Sequence, residues 1–464
     1  MEWKDFATQG ARAAQWAADY HAGLRDRPVR AQTRPGEIAG KIPDQPPDAA
    51  EDIEAILGDL DEIILPGMTH WQHPRFFAYF PANAAPVSVL AEYYVSTMAA
   101  QCMLWQTSPA ATELETRVID WMRQAVGLPD QFSGSIQDSA STATLCAVLT
   151  MREKALGWAG NREGLAGQKQ VRIYASDQVH SSIDRAIWVA GIGEANLVRI
   201  PVTGAARAMD IDALRAAIAA DRAAGHLPAG VIACVGGTSV GATDDLRAVL
   251  TLARDEGLYS HVDAAWAGAA MICPEFRDVW EGVEMADSVV LNPHKWLGAQ
   301  FDCSTHFLAD PADLVRTLAI QPEYLKTAGA DGIINYSEWT VPLGRRFRAL
   351  KLWFLIRAHG LDGLREMIRN HVHWSESLAR RLADAPGIEI VTQPMLSLFS
   401  FRMAEGDEKT EALLHKINND GRIYLTQTRV DGAYVIRFQA GAFTTTEADI
   451  DTAFEVITEL AREV

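Results

Sequence analysis

Short apolar runs alternate with longer amphipathic stretches between residues 86 and 365. The runs have the length of buried strands, and the stretches have the apolar spacing of helices that cover a sheet. Five such runs lie at residues 171–175, 230–235, 257–262, 288–291 and 305–309. Strands separated by helices predict a mostly parallel sheet with crossover helices. We therefore expect an α/β domain over residues 86–365.

The first 85 residues have a different pattern. An apolar-periodic stretch from residue 53 to residue 65 predicts a helix, and prolines break the chain on both sides of it. A helical segment this thin buries little surface by itself. We expect residues 1–85 to pack on another subunit, with an extension of the main domain as the alternative.

The pattern changes again after residue 365. A helix is predicted over residues 367–382, followed by strands at 388–391, 396–401 and 433–438 and by a last helix from Thr446. This order of elements predicts a small α+β domain over residues 366–464.

Composition argues against several classes of partner. The 464 residues suffice for two or three domains. The formal charge of -18 repels nucleic acid and anionic membranes. Five scattered cysteines without paired spacing indicate reduced thiols, and no apolar run reaches the ~18 residues that span a bilayer. We expect a cytoplasmic protein with no nucleic-acid or membrane partner.

Two of the predicted strands end in residues that carry chemistry. One ends in Asp263, and the run 288–295 ends in Lys295. Ligands gather at the carboxyl ends of parallel strands. Taken singly, such an aspartate is commonly a helix cap and such a lysine a solvated charge. Together they match pyridoxal phosphate, which needs an amine for its aldehyde, an acid beside its pyridine nitrogen and a cradle for its phosphate.

A cradle and a stacking group can also be proposed. Residues 138–144 are small and polar and lead into an apolar helical face, which places them at a helix N-terminus that attracts anions. His180 follows the run 171–175 and could lie over an aromatic ring, although a single histidine is more often structural. We expect no metal.

Three motifs resemble those of a known family, the aromatic amino acid decarboxylases of the group II pyridoxal-phosphate decarboxylases. They are Asn292-Pro-His-Lys-Trp296, His261-Val-Asp-Ala-Ala265 and Pro342-Leu-Gly-Arg-Arg-Phe-Arg348. Further matches at Phe77-Ala-Tyr-Phe-Pro81 and Ser108-Pro-Ala-Ala-Thr-Glu-Leu-Glu115 extend the resemblance over almost the whole chain. It implies the aspartate aminotransferase-like fold (fold type I), in a homodimer with shared active sites and an N-terminal segment that wraps the partner.

The resemblance also implies roles in cofactor binding. Lys295 would hold the cofactor covalently, Asp263 would pair with the pyridine nitrogen, and His180 would stack on the ring. Four further residues would surround the phosphate: Ala140, Ser141, Asn292 and His294. Thr238 would line the cofactor, although Gly237 and Ser239 depart from the threonine-rich run that the family often carries there.

The implied substrate pocket is aromatic. Its expected residues are Trp71, Tyr79, Phe80, Pro81, Ala82 and His180, with Gly344 nearby and with Gln101 and Met103 from the other subunit. Gly344 and Ala82 are smaller than the residues of some relatives, which suggests room for indoles. Tyr324, on a loop that closes over substrate, is our choice for the proton donor. Arg345, Arg346 and Arg348 are expected to be structural, because a carboxylate clamp would stabilise the charge that must leave.

We therefore predict a pyridoxal-phosphate enzyme that decarboxylates tryptophan, 5-hydroxytryptophan, phenylalanine, tyrosine or dopa. One alternative is an aromatic acetaldehyde synthase of the same family, in which Phe or Asn commonly replaces the residues at 324 and 180. An alternative of another class is a non-catalytic relative of the same fold, which should have lost Lys295 or Asp263.

Overall fold

A computed structural model describes residues 2–320 and 332–464 of the chain. Its α-helices are α1 Trp3–Ala22, α2 Ile53–Asp59, α3 Pro86–Met98, α4 Pro109–Val126, α5 Ala140–Ala155, α6 Gly160–Glu163, α7 Ser182–Val189, α8 Ile211–Ala223, α9 Leu246–Asp255, α10 Pro293–Trp296, α11 Ala312–Leu318, α12 Ala349–Ala383, α13 Asp407–Asp420 and α14 Glu447–Ala461. Its strands are β1 Ser133–Gln137, β2 Val171–Ser176, β3 Leu197–Ile200, β4 Val202–Thr203, β5 Ala208–Met209, β6 Leu227–Cys234, β7 Tyr259–Asp263, β8 Ser288–Leu291, β9 Ser304–Leu308, β10 Ile388–Met395, β11 Leu398–Met403, β12 Thr426–Val430 and β13 Ala433–Gln439.

These elements form two compact units. One comprises residues 82–370, and the other combines the N-terminal residues up to Pro81 with residues 371–464. The dimerisation role expected for residues 1–85 stays a prediction. Among the described residues, no helix has the length and apolarity of a transmembrane span.

The unit of residues 82–370 is built on a seven-stranded sheet in the order β1-β9-β8-β7-β6-β2-β3. Only β9 runs antiparallel to its neighbours, so the prediction of a mostly parallel sheet is confirmed. The five strands expected from apolar runs are present at β2, β6, β7, β8 and β9. Every residue of β7, β8 and β9 is buried, as expected for strands covered on both faces.

The other unit contains a four-stranded antiparallel sheet in the order β10-β11-β13-β12. Its core joins Phe399 and Phe438 of the sheet to Leu413 of α13 and Ile457 of α14. Phe77, from the N-terminal part of the chain, lies in the same core, with its ring centroid 4.6 Å from that of Phe438. The small C-terminal α+β fold is therefore confirmed.

Helix α12 begins earlier than the sequence pattern indicates. It runs from Ala349 to Ala383 with a kink at Gly360, where φ is +63°. A left-handed φ is accessible to glycine without a steric penalty, so the helix continues on both sides of the break. The predicted start at residue 367 was therefore wrong.

Candidate active site

The carboxyl ends of six parallel strands share one edge of the large sheet, and the candidate residues follow these ends. The segment after β2 carries His180, the segment after β6 carries Thr238, and β7 ends in Asp263. Lys295 lies on α10, directly after β8. Such an edge is where open α/β sheets bind ligands.

His180, Asp263 and Lys295 interact electrostatically. Burial lowers the pKa of the His180 imidazole below its ordinary value, the Asp263 carboxylate opposes this shift, and the Lys295 ammonium adds to it. Asp263 is itself buried, and its Oδ1 accepts a hydrogen bond of 3.1 Å from the N–H of Ala265. An amine, a carboxylate and an imidazole therefore lie close enough at the carboxyl edge of the sheet to interact electrostatically.

Hydrogen bonding holds His180 in one tautomer. Its Nδ1 accepts from the N–H of Ser182 at 3.1 Å and lies 2.9 Å from the Ser182 hydroxyl oxygen. A ring nitrogen that accepts from an N–H carries no proton, so the neutral ring carries its proton on Nε2. His180 can therefore donate from Nε2 while the turn before α7 fixes the orientation of the ring.

The turn that carries Lys295 is clamped by Asn83. The backbone N–H of Asn83 donates to the His294 carbonyl at 2.9 Å, and its side-chain Nδ2 donates to the Lys295 carbonyl at 2.7 Å. Asn83 is completely buried. We did not single it out from the sequence, because a partner 212 positions away leaves no local pattern.

The neighbours of Lys295 are also fixed. The N–H of Cys303 donates to Nδ1 of His294 at 3.0 Å, which places the proton of His294 on Nε2. Burial lowers the pKa of His294 to about 3, so this ring is a neutral donor at neutral pH. The Oδ1 of Asn292 accepts from the Ser304 hydroxyl at 2.6 Å.

Ala140 and Ser141 form the first turn of α5. Ser139 caps this helix by accepting from the N–H of Thr142 at 3.3 Å, and the first backbone bond of the helix runs from Ala143 to Ser139. The N–H groups of residues 140 and 141 precede that bond, so they have no carbonyl acceptor within the helix. Together with the helix dipole, they can bind an anion such as phosphate.

Thr238 lies half-buried on a loop that follows β6. Gly236 adopts a φ of +76°, and a Cβ on it would lie 2.6 Å from the Cβ of Ala267. A Cβ on Gly237 would lie 3.1 Å from the carbonyl oxygen of Gln178. The loop therefore packs closely against the segment that leads to His180.

The N-terminal substrate-pocket candidates lie together in their own unit. The rings of Trp71 and Tyr79 stack with centroids 5.9 Å apart, and Tyr79 also contacts Tyr424 edge-on at 6.2 Å. Phe80 and Pro81 are buried. Tyr424 was missed because it lies more than 300 positions further along the chain, with no motif around it.

The remaining pocket candidates lie in residues 82–370. The Oε1 of Gln101 accepts from the N–H of Arg345 at 2.7 Å, and a Cβ on Gly344 would lie 3.2 Å from Nε2 of Gln101. The carbonyl of Met103 accepts from the N–H of Ser337 at 3.0 Å. The structure thus brings Gln101, Met103 and Gly344 into one region, while Ala82 lies half-buried beside Asn83.

The three arginines of the motif 342–348 each pair with a carboxylate of the same chain. The partners are Glu115 for Arg345, Glu92 for Arg346 and Asp302 for Arg348. These contacts agree with the structural role that we predicted for all three arginines.

Tyr324 lies outside the described residues. Within residues 2–320 and 332–464, no group of three histidine, cysteine, aspartate or glutamate side chains is arranged to hold a metal ion.

The site fits pyridoxal phosphate in its donor set. Lys295 offers an amine for the aldehyde, and Asp263 offers a carboxylate for the pyridine nitrogen. The imidazole of His180 interacts with both charges. The N–H groups in the first turn of α5 and the neutral His294 can donate hydrogen bonds to the phosphate.

Comparison with known proteins leads to the same cofactor. Residues 35–404 match the family described as the pyridoxal-dependent decarboxylase conserved domain. The mouse aromatic-L-amino-acid decarboxylase is 39% identical over 100% of this chain and 99% of its own length, and a phenylacetaldehyde synthase of Arabidopsis thaliana is 37% identical over 99% and 96%. The crystal structure of an Oryza sativa TDC with PLP and tryptamine superimposes with a TM-score of 0.96 at 33% identity, covering 100% of this chain and 99% of the other. The chain belongs to the pyridoxal-dependent decarboxylases, with the fold of the fold type I enzymes and with pyridoxal phosphate as its cofactor.

Proposed function

We propose that this enzyme removes the α-carboxylate of an aromatic L-amino acid and releases the arylalkylamine and carbon dioxide. The observation that carries the proposal is that Lys295, Asp263 and His180 lie at or after strand ends at the carboxyl edge of the sheet and interact electrostatically. A non-catalytic relative should have lost Lys295 or Asp263, and both are present, so that alternative is not favoured.

The aromatic class of substrate is supported by two observations. The pocket candidates Trp71 and Tyr79 form an aromatic cluster with Tyr424, and flat rings pack favourably on such surfaces. The relatives compared above are named for aromatic amino acids, for tryptamine or for phenylacetaldehyde. Tryptophan, 5-hydroxytryptophan, phenylalanine, tyrosine and dopa are therefore the candidates.

Three side chains of the protein have different roles at the cofactor. When bound, pyridoxal phosphate supplies an electron sink for the electron pair that carbon dioxide leaves behind. Lys295 would provide its covalent anchor, and Asp263 would favour a proton at its pyridine nitrogen by offering a negative charge. His180, fixed through Nδ1, would stack on the ring and keep its Nε2–H available as a donor.

The substrate carboxylate needs no arginine clamp. Arg345, Arg346 and Arg348 already pair with carboxylates of the chain. Leaving the substrate carboxylate without a tight ion pair raises the energy of the ground state relative to the transition state, in which that charge disperses into neutral carbon dioxide.

The direct test is turnover on the five amino acids with amine, aldehyde and carbon dioxide measured together. We expect equal amounts of amine and carbon dioxide from at least one substrate. Lys295→Ala should abolish turnover, while Lys154→Ala, which removes an exposed amine paired with Asp313, should not. Absence of carbon dioxide release from all five, in protein that has bound cofactor, would refute the proposal.

The second candidate function is that of an aromatic acetaldehyde synthase. It is retained because the phenylacetaldehyde synthase of Arabidopsis thaliana is 37% identical to this chain. Such an enzyme would consume oxygen and water and release arylacetaldehyde, ammonia, carbon dioxide and hydrogen peroxide instead of amine and carbon dioxide. The presence of His180 and Tyr324 favours the decarboxylase.

We propose that Tyr324 delivers the proton to the substrate α-carbon, so Tyr324→Phe should turn amine formation into aldehyde formation under air. An unchanged amine yield would assign the proton to another group, such as His180 or Lys295.

The proposal also includes the oligomeric state of the enzyme. Helix α3 exposes an apolar face formed by Val89, Leu90, Tyr93, Tyr94 and Met98. A patch of this kind commonly marks a protein interface. We infer a homodimer in which Gln101 and Met103 complete the partner's pocket.

The five cysteines are all free and buried, which fits a reducing compartment such as the cytoplasm.

A further inference from the structure

Asp244 is a buried carboxylate beside the candidate site, and none of the roles above uses it. Only 4% of its surface is exposed. Its Oδ1 accepts from the N–H of Met209 on β5 and its Oδ2 accepts from the N–H of Cys234 on β6, both at 2.7 Å. Its own N–H donates to the carbonyl of Cys234 at 2.9 Å. One side chain therefore joins the end of β6 to the hairpin of β4 and β5.

The loop between β6 and Asp244 closes on itself. Val235 pairs with Thr243 in an isolated antiparallel bridge, and the N–H of Gly236 donates to the Thr243 hydroxyl at 3.3 Å. The N–H of Gly237 donates to the carbonyl of Ala242 at 2.8 Å. With its base held by Asp244, the loop forms a closed turn, and Thr238 lies on it.

This loop also contacts the segments that carry the other candidate residues. Gly237 approaches the carbonyl of Gln178 so closely that an added Cβ would lie 3.1 Å from it, and Gln178 precedes His180 by two residues. Cys234 pairs in register with Asp263, and the N–H of Val235 donates to the Asp263 carbonyl at 3.0 Å. A displacement of the loop would therefore reach both the turn that carries His180 and the end of β7.

We propose that Asp244 is a positioning residue of the cofactor site, whose carboxylate fixes the loop 235–243 and through it Thr238, the His180 turn and the end of β7. The proposal rests on the proposed function, because it assumes that these residues surround the cofactor. A carboxylate suits this task, since its two oxygens can accept from two N–H groups at once, whereas an amide can accept through only one atom.

The sheet offers a matched control. Asp287 precedes β8 at the opposite edge of the sheet, and its Oδ2 accepts from the N–H of Ser260 at 2.7 Å and from the Ser260 hydroxyl at 2.9 Å. Burial raises the pKa of Asp287, as it raises that of Asp244 to about 6. Asp287→Asn therefore makes the same chemical change in a comparable environment away from the cofactor end.

The experiment compares Asp244→Asn with Asp287→Asn. In cofactor-free protein, hydrogen exchange should accelerate in residues 177–182 and 235–243 for Asp244→Asn only. In protein loaded with pyridoxal phosphate, Asp244→Asn should change the absorption band of the bound cofactor and speed its release by about tenfold, the effect of one lost buried hydrogen bond. Release that is equally slow in both variants would overturn the proposal.

A second variant keeps the test decisive if Asp244→Asn does not fold. Thr243→Val removes the hydroxyl that accepts from Gly236, on the half-buried side of the same loop. Faster cofactor release from this variant than from Asp287→Asn supports the positioning role, and unchanged release overturns it. If the unmodified protein binds no pyridoxal phosphate, the proposed function fails instead.

Discussion

At the scale of single residues, hydrogen bonds to the backbone decide what each imidazole can do. His180 and His294 both accept an N–H at Nδ1, so both carry their proton on Nε2. The sequence could predict His180 and His294 from their motifs. It could not predict the tautomer of His294, because the donor to its Nδ1 is Cys303, whose approach depends on the pairing of β8 with β9.

Asn83 provides a prediction at this scale. Asn83→Ala removes the donor to the Lys295 carbonyl and leaves that buried acceptor without its bond, which costs about 1–3 kcal/mol. We expect a lower free energy of unfolding together with faster loss of bound cofactor. Both are measurable, by denaturant titration and by dialysis followed by absorbance.

Asn196→Ala is the control for this prediction, since its Nδ2 donates to the Ile192 carbonyl at 2.6 Å away from the Lys295 turn. It should lower stability without changing cofactor loss. Equal cofactor loss in the two variants would show that Asn83 contributes to folding alone.

At the scale of elements, most strands rich in apolar residues were predictable and the polar ones were not. β2, β6, β7, β8 and β9 were found because each lies in a short run rich in apolar residues, which is typical of strands buried on both faces. β1 has the sequence SGSIQ and β12 has TQTRV, and neither has an apolar run. β1 lies at the edge of its sheet, where Arg345 bonds to the carbonyl of Ile136 and Glu115 accepts from the N–H of the same residue. These contacts come from residues far away in the sequence.

The ion pair of Arg345 with Glu115 yields a prediction for α4 and β1. Both side chains are buried, and the two oxygens of Glu115 lie 2.6 and 3.1 Å from the guanidinium nitrogens. Arg345→Met leaves the Glu115 charge buried without its cation, which should cost about 3–5 kcal/mol of unfolding free energy.

Arg346→Met is the comparison, because Arg346 is half-exposed in its pair with Glu92. This change should cost about 0–1 kcal/mol. Denaturant titrations of both variants measure the difference. A loss for Arg345→Met as small as that for Arg346→Met would mean that the buried pair does not hold the two elements together.

At the scale of the whole molecule, the family motifs predicted the enzyme class, and the structure places the cofactor candidates His180, Asp263 and Lys295 at or after the ends of strands that share one edge of the large sheet. The choice among aromatic substrates could not be predicted, because the shape of a pocket depends on contacts between residues distant in sequence, such as the one between Tyr79 and Tyr424. The position of Asn83 and Asp244 also depends on long-range contacts. No local pattern distinguishes them from ordinary loop residues.

The exposed apolar face of α3 leads to a prediction about the oligomeric state and its effect on activity. Leu90→Asp combined with Tyr94→Asp places two charges in the apolar patch, where they would be buried on association. We expect a monomer with little activity, because Gln101 and Met103 could no longer complete a partner's pocket. Sedimentation and turnover at matched concentrations provide the measurement.

Trp188→Asp changes an equally exposed apolar residue on α7 and is the control for the assembly. It should leave both the sedimentation and the turnover as they are in the unmodified chain. A double variant on α3 that remains a dimer, or a monomer with full activity, would contradict the prediction.

Buried histidines predict that the whole molecule loses stability in mild acid. Burial lowers the pKa of four histidines to about 3, namely His73, His294, His306 and His371. An unfolded histidine titrates near 6.5, so between pH 6.5 and 3 the unfolded chain binds protons that the folded chain does not. Stability is therefore complete above about pH 7 and falls as the pH decreases, by roughly 1 kcal/mol or more per histidine at pH 5.5. Asp244 acts in the opposite direction, since its pKa is raised to about 6, and it offsets part of this loss at that pH.

The free energy of unfolding should thus be several kcal/mol lower at pH 5.5 than at pH 7.5. His306→Leu removes one completely buried imidazole and should reduce this difference by roughly 1 kcal/mol, whereas His415→Leu, at an exposed position, serves as the control. A pH dependence that is the same in both variants would mean that His306 is protonated as readily in the folded chain as in the unfolded one.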